Sequence, residues 1–495
     1  MKIILQRLKG DKMEKQEYIS AINRYASQVM KNVFSKKRKF EGQGWRGVWI
    51  ALGKAQHQMG IPEGNPITEQ QIALLESKKN TVDYDRAAQI ESEKRHDVVA
   101  HMTEYGEQCP EAAGILHIGG TSALITDHTE LLQMRDGIEV LEEKTARNIG
   151  LLGKFAMEYK DMPCLGYTHF QPGQPVTVGK RATLWAYDLV LGLASLITAK
   201  GFIKARGLKG TTGSNASYFS LLKGDREKLK KLDELFCNEL GFEESYEVTG
   251  QTYSRIIDSI VLSSLGHIAA GVHKFGNDIR LLQHEKEIEE PFGKKQVGSS
   301  AMAYKRNPMR SERMCSLARH VIKLSEEANM THLTQWFERT LDDSAGRRMY
   351  VPEAFLGTDV ILDVQANVSD GLVVYPAVIQ KNLMAELPFM TTEEIIVKAV
   401  EKGANRQEIH GIIRDLSQEA GDRVKQEGTD NDLLERIAEH SDIPLNNEEI
   451  MALVDPKKFI GDAPGQVEDF YEEVVEPIME EYEINLDEKI EDLKV

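Results

Sequence analysis

The stretch SIVLSSLGHIAAGVHKFGNDIRLL, residues 259–282, decides the fold class, because its apolar residues recur at steps of four and three. The apolar positions are Val261, Leu265, Ile268, Val272, Phe275, Ile279 and Leu282. This spacing aligns them in one seam along a helix, as in coiled coils. A helix of about 30 residues is about 45 Å long. The stretch therefore predicts one long helix of a bundle.

Three further segments repeat this spacing on either side of the first. Their apolar positions are Trp185, Leu189, Leu193 and Leu196, then Met314, Leu317, Val321 and Leu324, and finally Ile361, Val364, Val368 and Leu372. No alternating strand and helix pattern lies between them, so we predict an all-α chain with long helices packed side by side. Helices this long can hardly cover their own seams within one chain, which favours a homo-oligomer that shares the bundle.

Proline and glycine positions divide the chain into three predicted helical domains, at residues 1–118, 119–372 and 373–495. In the first domain, Thr68 and Gln71 predict a capping box at a helix start. In the last domain, Thr391 and Glu394 predict a second one. The central domain holds the long helices and therefore the core of the molecule.

The composition excludes several classes of protein. The 495 residues carry 61 Lys and Arg against 78 Asp and Glu, a net charge of −17, which opposes a sequence-independent coat on nucleic acid. The best candidate membrane segment, 184–199, carries Asp188, and charge follows Met1 too soon for a signal peptide. The four cysteines form no metal-ligand or disulfide pattern. We therefore expect a cytoplasmic protein with reduced thiols and no membrane or nucleic-acid partner.

The stretch EPFGKKQVGSSAMAYKRNP, residues 290–308, is the least helix-like part of the predicted bundle. Its prolines, glycines and adjacent serines predict a mobile loop between two long helices. Gly298 would let the backbone approach a ligand closely, and Lys305 places a positive charge where an oxyanion could develop. The loop is thus a candidate lid over a substrate. An ordinary solvated loop would have the same composition.

A second candidate is GYTHFQPGQPVTVGKR, residues 166–181, which precedes a predicted helix. Two prolines, Pro172 and Pro175, flank the polar cluster just before the helix and would hold His169 rigidly at the helix entrance. Histidine changes charge near neutral pH, so His169 could deliver or accept a proton. A purely structural histidine is the alternative.

Two clusters nearer the N-terminus could carry chemistry, and the first of them could bind an anionic substrate. The first is Arg95, His96 and Asp97, followed by His101, although successive helical residues point in different directions. Capping or surface ion pairing would explain it equally well. The second cluster is HIGGTS, residues 117–122, a flexible turn rich in hydroxyl groups. A helix start capped by Thr121 or Ser122 explains it as well.

The segment QWFERTLDDSAGRR, residues 335–348, offers donors for phosphate or carboxylate. The donors are Arg339, Ser344, Arg347 and Arg348, and guanidinium groups match both kinds of anion in fork geometry. The adjacent Asp342 and Asp343 could simply neutralise them. The glycines at 207, 210 and 213 form no nucleotide-binding fingerprint, because no strand precedes them and no GK[ST] follows.

Taken together, these segments resemble the fumarase/aspartase superfamily, and within it the adenylosuccinate lyase family over nearly the whole chain. GSSAMAYKRNP at 298–308 is similar to the signature GSSxMPxKxNP, with Ala303 where proline is usual. Segments similar to the narrower family are RYAS at 24–27, RHDVVAH at 95–101, THFQPGQP at 168–175, TGQTYSR at 249–255, KRNPMRSER at 305–313 and QWFERTLDDSAGRR at 335–348. Gly173 and Gly120 are smaller departures that remove no reactive group.

The resemblance implies a β-elimination that releases fumarate from adenylosuccinate, giving AMP, and from the succinyl-aminoimidazole-carboxamide ribotide of purine biosynthesis. It implies Ser299 as the base for the Cβ proton, His169 as the acid for the leaving nitrogen, and Lys305 as a further catalytic group. The substrate-binding residues it implies are Arg24, Tyr25, Arg95, His96, Asp97, Thr121, Ser122, Thr168, Gln251, Asn307, Arg313, Arg339, Ser344 and Arg348.

The resemblance also implies a homotetramer in which three subunits build each active site, with no metal or organic cofactor. Two other interpretations stay open on sequence grounds. One is a sister lyase that acts on argininosuccinate or another fumaryl adduct. The other is a scaffold protein that kept the fold and lost activity, as lens crystallins related to this superfamily did. The presence of Ser299, His169 and Lys305 argues against loss of activity.

Overall fold

The structure is a computed structural model that describes residues 21–293, 296–298 and 300–488. These residues are mostly helical and contain two small two-stranded sheets, so the prediction of an all-α fold is confirmed. The predicted base Ser299 lies outside the described residues.

The N-terminal part contains short helices, as predicted. They are α1 Ala21–Tyr25, α2 Gln28–Val33, α3 Lys36–Phe40, α4 Trp45–Gln58, α5 Glu69–Ser77, α6 Tyr84–Lys94 and α7 Asp97–Gln108. The predicted capping box begins α5: Thr68 Oγ1 accepts from the Gln71 amide at 3.3 Å, and Gln71 Oε1 accepts from the Thr68 amide at 3.0 Å. A short 3₁₀ segment, Pro110–Ile115, then leads into the bundle.

The central part holds the long helices. They are α8 Ser122–Glu158, α9 Val178–Gly201, α12 Ile256–His284, α13 Met309–Leu333 and α14 Asp343–Ser369, with two shorter helices, α10 Ala216–Leu221 and α11 Arg226–Glu239, between them. All seven seam residues between 261 and 282 are buried, which confirms the predicted bundle helix. Leu372 lies beyond the end of α14, so the fourth predicted helix was drawn too long.

A β-hairpin precedes α9. Its strands, β1 Pro163–Thr168 and β2 Gln171–Thr177, are antiparallel, with an irregularity between Leu165 and Tyr167. His169 and Phe170 form the two-residue turn, and both have positive φ, 54° and 56°. Positive φ at both central residues is the signature of the hairpin turn that matches strand twist. The segment is therefore a hairpin that ends in an exposed tip, and the rigidity expected from its prolines stays a prediction.

The C-terminal part forms a second, smaller core. Its helices are α15 Pro376–Met390, α16 Thr392–Glu401, α17 Arg406–Glu427, α18 Leu433–Glu439 and α19 Asn447–Met451. The last helices, α20 Ala463–Phe470 and α21 Glu476–Glu481, flank a π-helical turn and return to the bundle, where Val467 and Val475 join the main core. The division of the chain into three domains stays a prediction.

The second predicted capping box is wrong. Thr391 has helical backbone angles, φ −76° and ψ −10°, and its hydroxyl donates to the Leu387 carbonyl at 2.6 Å instead of capping α16. The chain therefore passes from α15 into α16 almost without interruption. A capping pattern in the sequence cannot exclude this alternative, because a threonine hydroxyl can also bond back to the preceding turn.

Helices α9 and α12 are long and apolar enough to cross a membrane by length and composition alone. Their most apolar windows are 50% and 61% buried inside the described chain, as expected for core helices of a bundle. All four cysteines are free and buried. A second sheet pairs β3 Ile288–Glu289 with β4 Val373–Val374, and it holds the start of the loop 290–308 against the connection between α14 and α15.

Candidate active site

A cavity of about 700 Å³ opens where α7, α8 and α14 begin. Nine of the substrate-binding residues that the resemblance implies line it: Arg95, His96, Asp97, Thr121, Ser122, Gln251, Arg339, Ser344 and Arg348. They come from four separate segments of the sequence. The fold therefore brings together groups that the sequence shows only as isolated clusters.

A break between α6 and α7 supplies the first wall. Arg95 ends α6 with a left-handed backbone, φ 56°, and His96 is the extended residue before α7. The three residues 95–97 thus do not follow one helix, which removes the objection that their side chains must diverge. His96 Nδ1 accepts from the Val99 amide at 3.4 Å, and its Nε2 lies 3.3 Å from the Ser122 hydroxyl.

Asp97 is held as a carboxylate by its neighbours. Its Oδ2 accepts from Arg348 Nη2 at 2.7 Å and its Oδ1 accepts from the Val98 amide at 2.8 Å. Burial acts to raise the pKa of Asp97, but the Val98 amide and the Arg348 guanidinium outweigh it and lower the pKa. The predicted capping and ion-pairing roles therefore exist, and they also orient Arg348 at the cavity.

The N-terminus of α8 forms the second wall. This helix has 37 residues, and Thr121 occupies its N-cap position without a side-chain capping bond. The Thr121 hydroxyl is buried and has no hydrogen-bond partner among the described residues. Free amide groups at a helix start carry partial positive charge and bind anions. A buried, unsatisfied hydroxyl at this point indicates that a polar ligand completes the site.

The third wall comes from the segment before α14. Arg339 Nη1 donates to Gln251 Oε1 at 2.7 Å, which fixes both side chains at the cavity. This contact depends on Gly250, because an added Cβ there would lie 2.3 Å from the Glu338 carbonyl oxygen. The Gln251 amide also donates to that oxygen at 3.0 Å.

A buried network of charges lies under the cavity. Arg255 donates to Asp343 at 2.8 Å and to Asp127 at 3.0 Å, while Arg347 donates to Asp258 at 2.6 Å. Arg347 also pairs with Glu130. Arg347 belongs to the cavity lining but is only 5% exposed, and its guanidinium is paired with Asp258, Glu130 and Tyr253, so its main contacts are within the network. These residues support the ligand-facing groups and leave them in fixed positions.

Sequence reasoning missed most of this network, and it also missed His117 as a separate wall residue. His117 has a positive φ of 66° and its Nδ1 accepts from Trp49 Nε1 at 3.2 Å. Burial lowers its pKa to about 4, so the ring is neutral at pH 7. The only sequence pattern that could have indicated a role for His117 was its place in HIGGTS, because its partner Trp49 lies far away in the sequence.

Two of the proposed catalytic residues lie away from this cavity. His169 and Thr168 occupy the exposed hairpin tip, and neither lines the cavity. Lys305 is exposed on the loop 290–308. Asn307 Nδ2 donates to the Gly298 carbonyl at 2.8 Å and so closes the base of the loop. A Cβ added to Gly298 would lie 2.1 Å from the Lys305 carbonyl oxygen, so the close approach here is within the loop.

The remaining proposed residues form a separate aromatic and cationic cluster. The Arg313 guanidinium lies 5.0 Å from the Tyr25 ring centroid, and the Arg24 guanidinium lies 5.5 Å from the same ring. One chain thus presents its candidate groups in several places. Within the described part of the chain, no group of three or more His, Cys, Asp and Glu side chains could hold a metal ion.

Several solved structures have a similar fold. The chain matches a 3-carboxy-cis,cis-muconate lactonizing enzyme from Pseudomonas putida with a TM-score of 0.77 and 21% identity, over 94% of this chain and 99% of that one. It matches a fumarate lyase from Mesorhizobium sp. BNC1 with a TM-score of 0.76 and 22% identity, over 92% and 99%. At this level of identity the match establishes the fold.

Sequence comparisons are more specific. A lyase family model matches residues 17–323, and a model described as adenylosuccinate lyase C-terminus matches residues 388–470. Adenylosuccinate lyase from Saccharomyces cerevisiae is 47% identical over 94% of this chain and 96% of its own length. The enzyme from Schizosaccharomyces pombe is 45% identical over 95% and 97%. The chain therefore belongs to the adenylosuccinate lyase family of the fumarase/aspartase superfamily.

Proposed function

We propose that this chain cleaves adenylosuccinate to AMP and fumarate, and the succinyl-aminoimidazole-carboxamide ribotide to its carboxamide and fumarate, in purine biosynthesis. The observation that carries the proposal is the cavity, in which Arg339, Arg348 and the α8 N-terminus converge on one space. Both substrates carry a phosphate and two carboxylates, and these are the groups that guanidinium forks and helix starts bind.

The reaction needs more positive charge than one chain provides at the cavity. The lining contains five guanidinium groups, of Arg95, Arg255, Arg339, Arg347 and Arg348, against five carboxylates, of Glu91, Asp97, Asp127, Glu130 and Asp343. Five minus five leaves no net formal charge for a substrate with three anionic groups. Lys305, Arg24 and Arg313 are cations outside this lining, and the proposal is that other subunits bring these groups to the cavity.

The exposed apolar surface supports such an assembly. Leu184, Tyr187 and Leu191 are spaced three and four residues apart along α9, and each is at least 50% exposed. Near the cavity, Trp336 and Phe337 are 70% and 100% exposed. Large apolar patches of this kind mark protein interfaces. We infer a homotetramer with composite active sites, and we place it in the cytoplasm, where free thiols such as the four buried cysteines persist.

The chemistry follows from the charge that develops. Removal of a proton beside a carboxylate produces a dianion, which fixed donors and cations must stabilise. Lys305, Asn307 and the loop amides serve this purpose when the loop closes. Ser299 removes the proton, and closure has to exclude water because a serine alkoxide is a costly base in water. His169 of another subunit protonates the leaving nitrogen, so that it does not depart as an anion.

The test is fumarate release from adenylosuccinate and from argininosuccinate, measured at matched concentrations. Turnover with adenylosuccinate is the expected result. Turnover with argininosuccinate alone would favour the sister lyase, and turnover with neither would favour a scaffold protein.

Two variants test the assigned roles. Ser299→Ala should keep the tetramer and lower kcat at least about a hundredfold, the scale of general base catalysis. His169→Gln should lower kcat more than it weakens substrate binding. Wild-type turnover in the first variant, or a pure affinity defect in the second, would contradict these roles.

A further inference from the structure

A buried ion pair joins the hairpin and the loop 290–308 within one chain. Glu287 is fully buried and directly precedes β3, which leads into the loop. Arg181 lies in the first turn of α9, just after β2 of the hairpin. Its Nη1 lies 3.9 Å from Glu287 Oε2. The two segments proposed for proton transfer therefore share one contact at their bases.

Arg181 also holds the hairpin. Its Nη2 donates to the Leu165 carbonyl, at the irregular point of β1 where the strand register shifts. Its guanidinium lies 5.9 Å from the Tyr167 ring centroid. Tyr167 in turn stacks on Phe170 of the turn, with ring centroids 5.5 Å apart. A displacement of Arg181 would thus act through the Tyr167 ring on Phe170, the residue next to His169.

Glu287 in the same way holds the base of the loop. Its Oε1 accepts from Asn382 Nδ2 at 3.0 Å, and its carbonyl accepts from the Tyr375 amide at 2.9 Å. The Tyr375 hydroxyl donates to Glu289 Oε2 at 2.9 Å, and Arg306 of the loop lies 3.4 Å from the same oxygen. A displacement of Glu287 would therefore reach the loop beside Lys305.

The two facing atoms of the pair depend on each other. Glu287 Oε2 and Arg181 Nη1 are both buried, and neither has a hydrogen-bond partner among the described residues. Charges attract more strongly where water is excluded. Burial raises the pKa of Glu287, while Asn382 and Arg181 oppose this shift. Loss of either partner would leave an uncompensated charge at the base of both segments.

We propose that Arg181 and Glu287 are positioning residues that couple the hairpin to the loop, so that a change at the base of one moves the other. The inference rests on the proposed function, in which His169 and Ser299 of one chain serve different active sites. The pair then links two active sites of the tetramer through one chain. It touches neither the substrate nor the reacting atoms.

The experiment compares Glu287→Gln and Arg181→Lys with the wild-type tetramer. Each variant should lower kcat about tenfold and change KM less than about twofold, because misplaced catalytic groups reduce turnover more than binding. The double variant should be little worse than either single one, because partners in one contact are not additive. Backbone hydrogen exchange should rise in the segment on the other side of the ion pair from the substitution. This segment is 163–177 for Glu287→Gln and 290–308 for Arg181→Lys.

The matched control is Glu285→Gln, which removes the same charge two residues away. The Glu285 side chain makes no hydrogen bond or ion pair within the described ranges and acts on Glu287 and Tyr167 only through space, so kcat and exchange should change far less than in the two variants. Exchange that rises only in the segment that carries the substitution would overturn the coupling. If one variant fails to assemble, exchange across the contact in the other still decides. Absence of wild-type turnover would instead refute the proposed function.

Discussion

Single residues at the hairpin tip are held in a conformation that favours glycine or asparagine. His169 and Phe170 both have positive φ; histidine enters this region more often than most residues do, whereas phenylalanine rarely does. Such residues cost of order 1–3 kcal/mol each and occur where surrounding structure or function requires them. The backbone conformation of this turn therefore lowers the stability of the fold, and it places the His169 imidazole at an exposed tip.

Replacing this imidazole should stabilise the fold while it removes activity. His169→Asn should raise the free energy of unfolding by about 0.5–1 kcal/mol, because asparagine tolerates the left-handed region. The same variant should lose most of its turnover. Urea unfolding at fixed protein concentration measures the first effect and fumarate release the second. The control His320→Asn, at an exposed position within α13, should not stabilise; equal stabilisation there would contradict the explanation by backbone strain.

His101 and His128, together with the cavity-wall residue His117, should make stability fall on acidification. Burial lowers the pKa of His101 to about 4 and that of His128 to about 3, against about 6.5 in an unfolded chain. Below pH 6.5 the unfolded chain therefore binds protons that the folded chain does not. The stabilising contribution of each neutral histidine is complete above pH 6.5. Each histidine then lowers the free energy of unfolding by about 1.4 kcal/mol for every pH unit as the pH drops towards 4.

His101→Phe isolates one of these contributions. The His101 ring stacks on Phe40 with centroids 4.1 Å apart, so phenylalanine preserves the contact and removes the titration. The decline of the urea midpoint between pH 6.5 and 4.5 should become shallower. His410→Gln, at an exposed position, should keep the wild-type decline. An unchanged slope in His101→Phe would show that other groups govern acid unfolding.

At the scale of elements, the sequence predicts the helices whose seams are fully apolar and misses the longest one. The seam of α8 passes through His128 and Thr145, which are buried but polar. Each bonds back to its own helix, His128 to the Leu124 carbonyl and Thr145 to the Leu141 carbonyl. These polar positions interrupt the seam, but Leu131, Met134, Ile138 and Leu141 between them still repeat at steps of three and four and are fully buried, so this part of α8 was detectable from the sequence.

As with the helices, part of the candidate site was predictable from the sequence. The residues that face the ligand lie in short recognisable segments, and nine of them meet in one cavity. The supporting network was not predictable, because Asp127, Asp258 and Arg347 come from different helices and only the fold pairs them. The hairpin turn was missed because its two central residues are not the asparagine and glycine that mark such turns.

The neck of the loop 290–308 is closed by one carboxylate. Glu290 is only 3% exposed, and its oxygens accept from the Arg310 amide at 3.1 Å and from the Ser311 amide and hydroxyl, each at 2.9 Å. It thereby satisfies free amides in the first turn of α13 from the other end of the loop. Both ends of the loop are held together at this point.

Glu290→Ala should therefore release both ends of the loop. We expect a loss of about 1–3 kcal/mol in unfolding free energy, because buried amides lose their acceptor. We also expect kcat to fall about tenfold, because the loop closes less accurately. Glu312→Ala, an exposed carboxylate in the first turn of the same helix, is the control and should change kcat little. Reduced stability with unchanged kcat would mean that the neck is structural only.

For the whole molecule, the balance of charge at the cavity and the exposed stripe on α9 lead to one expectation: no single chain contains a complete active site. If each site takes His169 and Ser299 from different chains, mixed tetramers of two inactive variants must regain activity.

In an equal mixture of His169→Gln and Ser299→Ala chains, each required residue is intact in half of the chains. If the two kinds of chain assemble at random, about one half times one half, or about one quarter, of the sites should then be complete. Fumarate release after co-expression measures this fraction, and native mass spectrometry verifies that hybrid tetramers formed. Each variant alone, treated identically, gives the background. Hybrid tetramers without recovered turnover would mean that both residues of a site come from one chain, and the cavity, hairpin and loop would then have to meet within a single protomer.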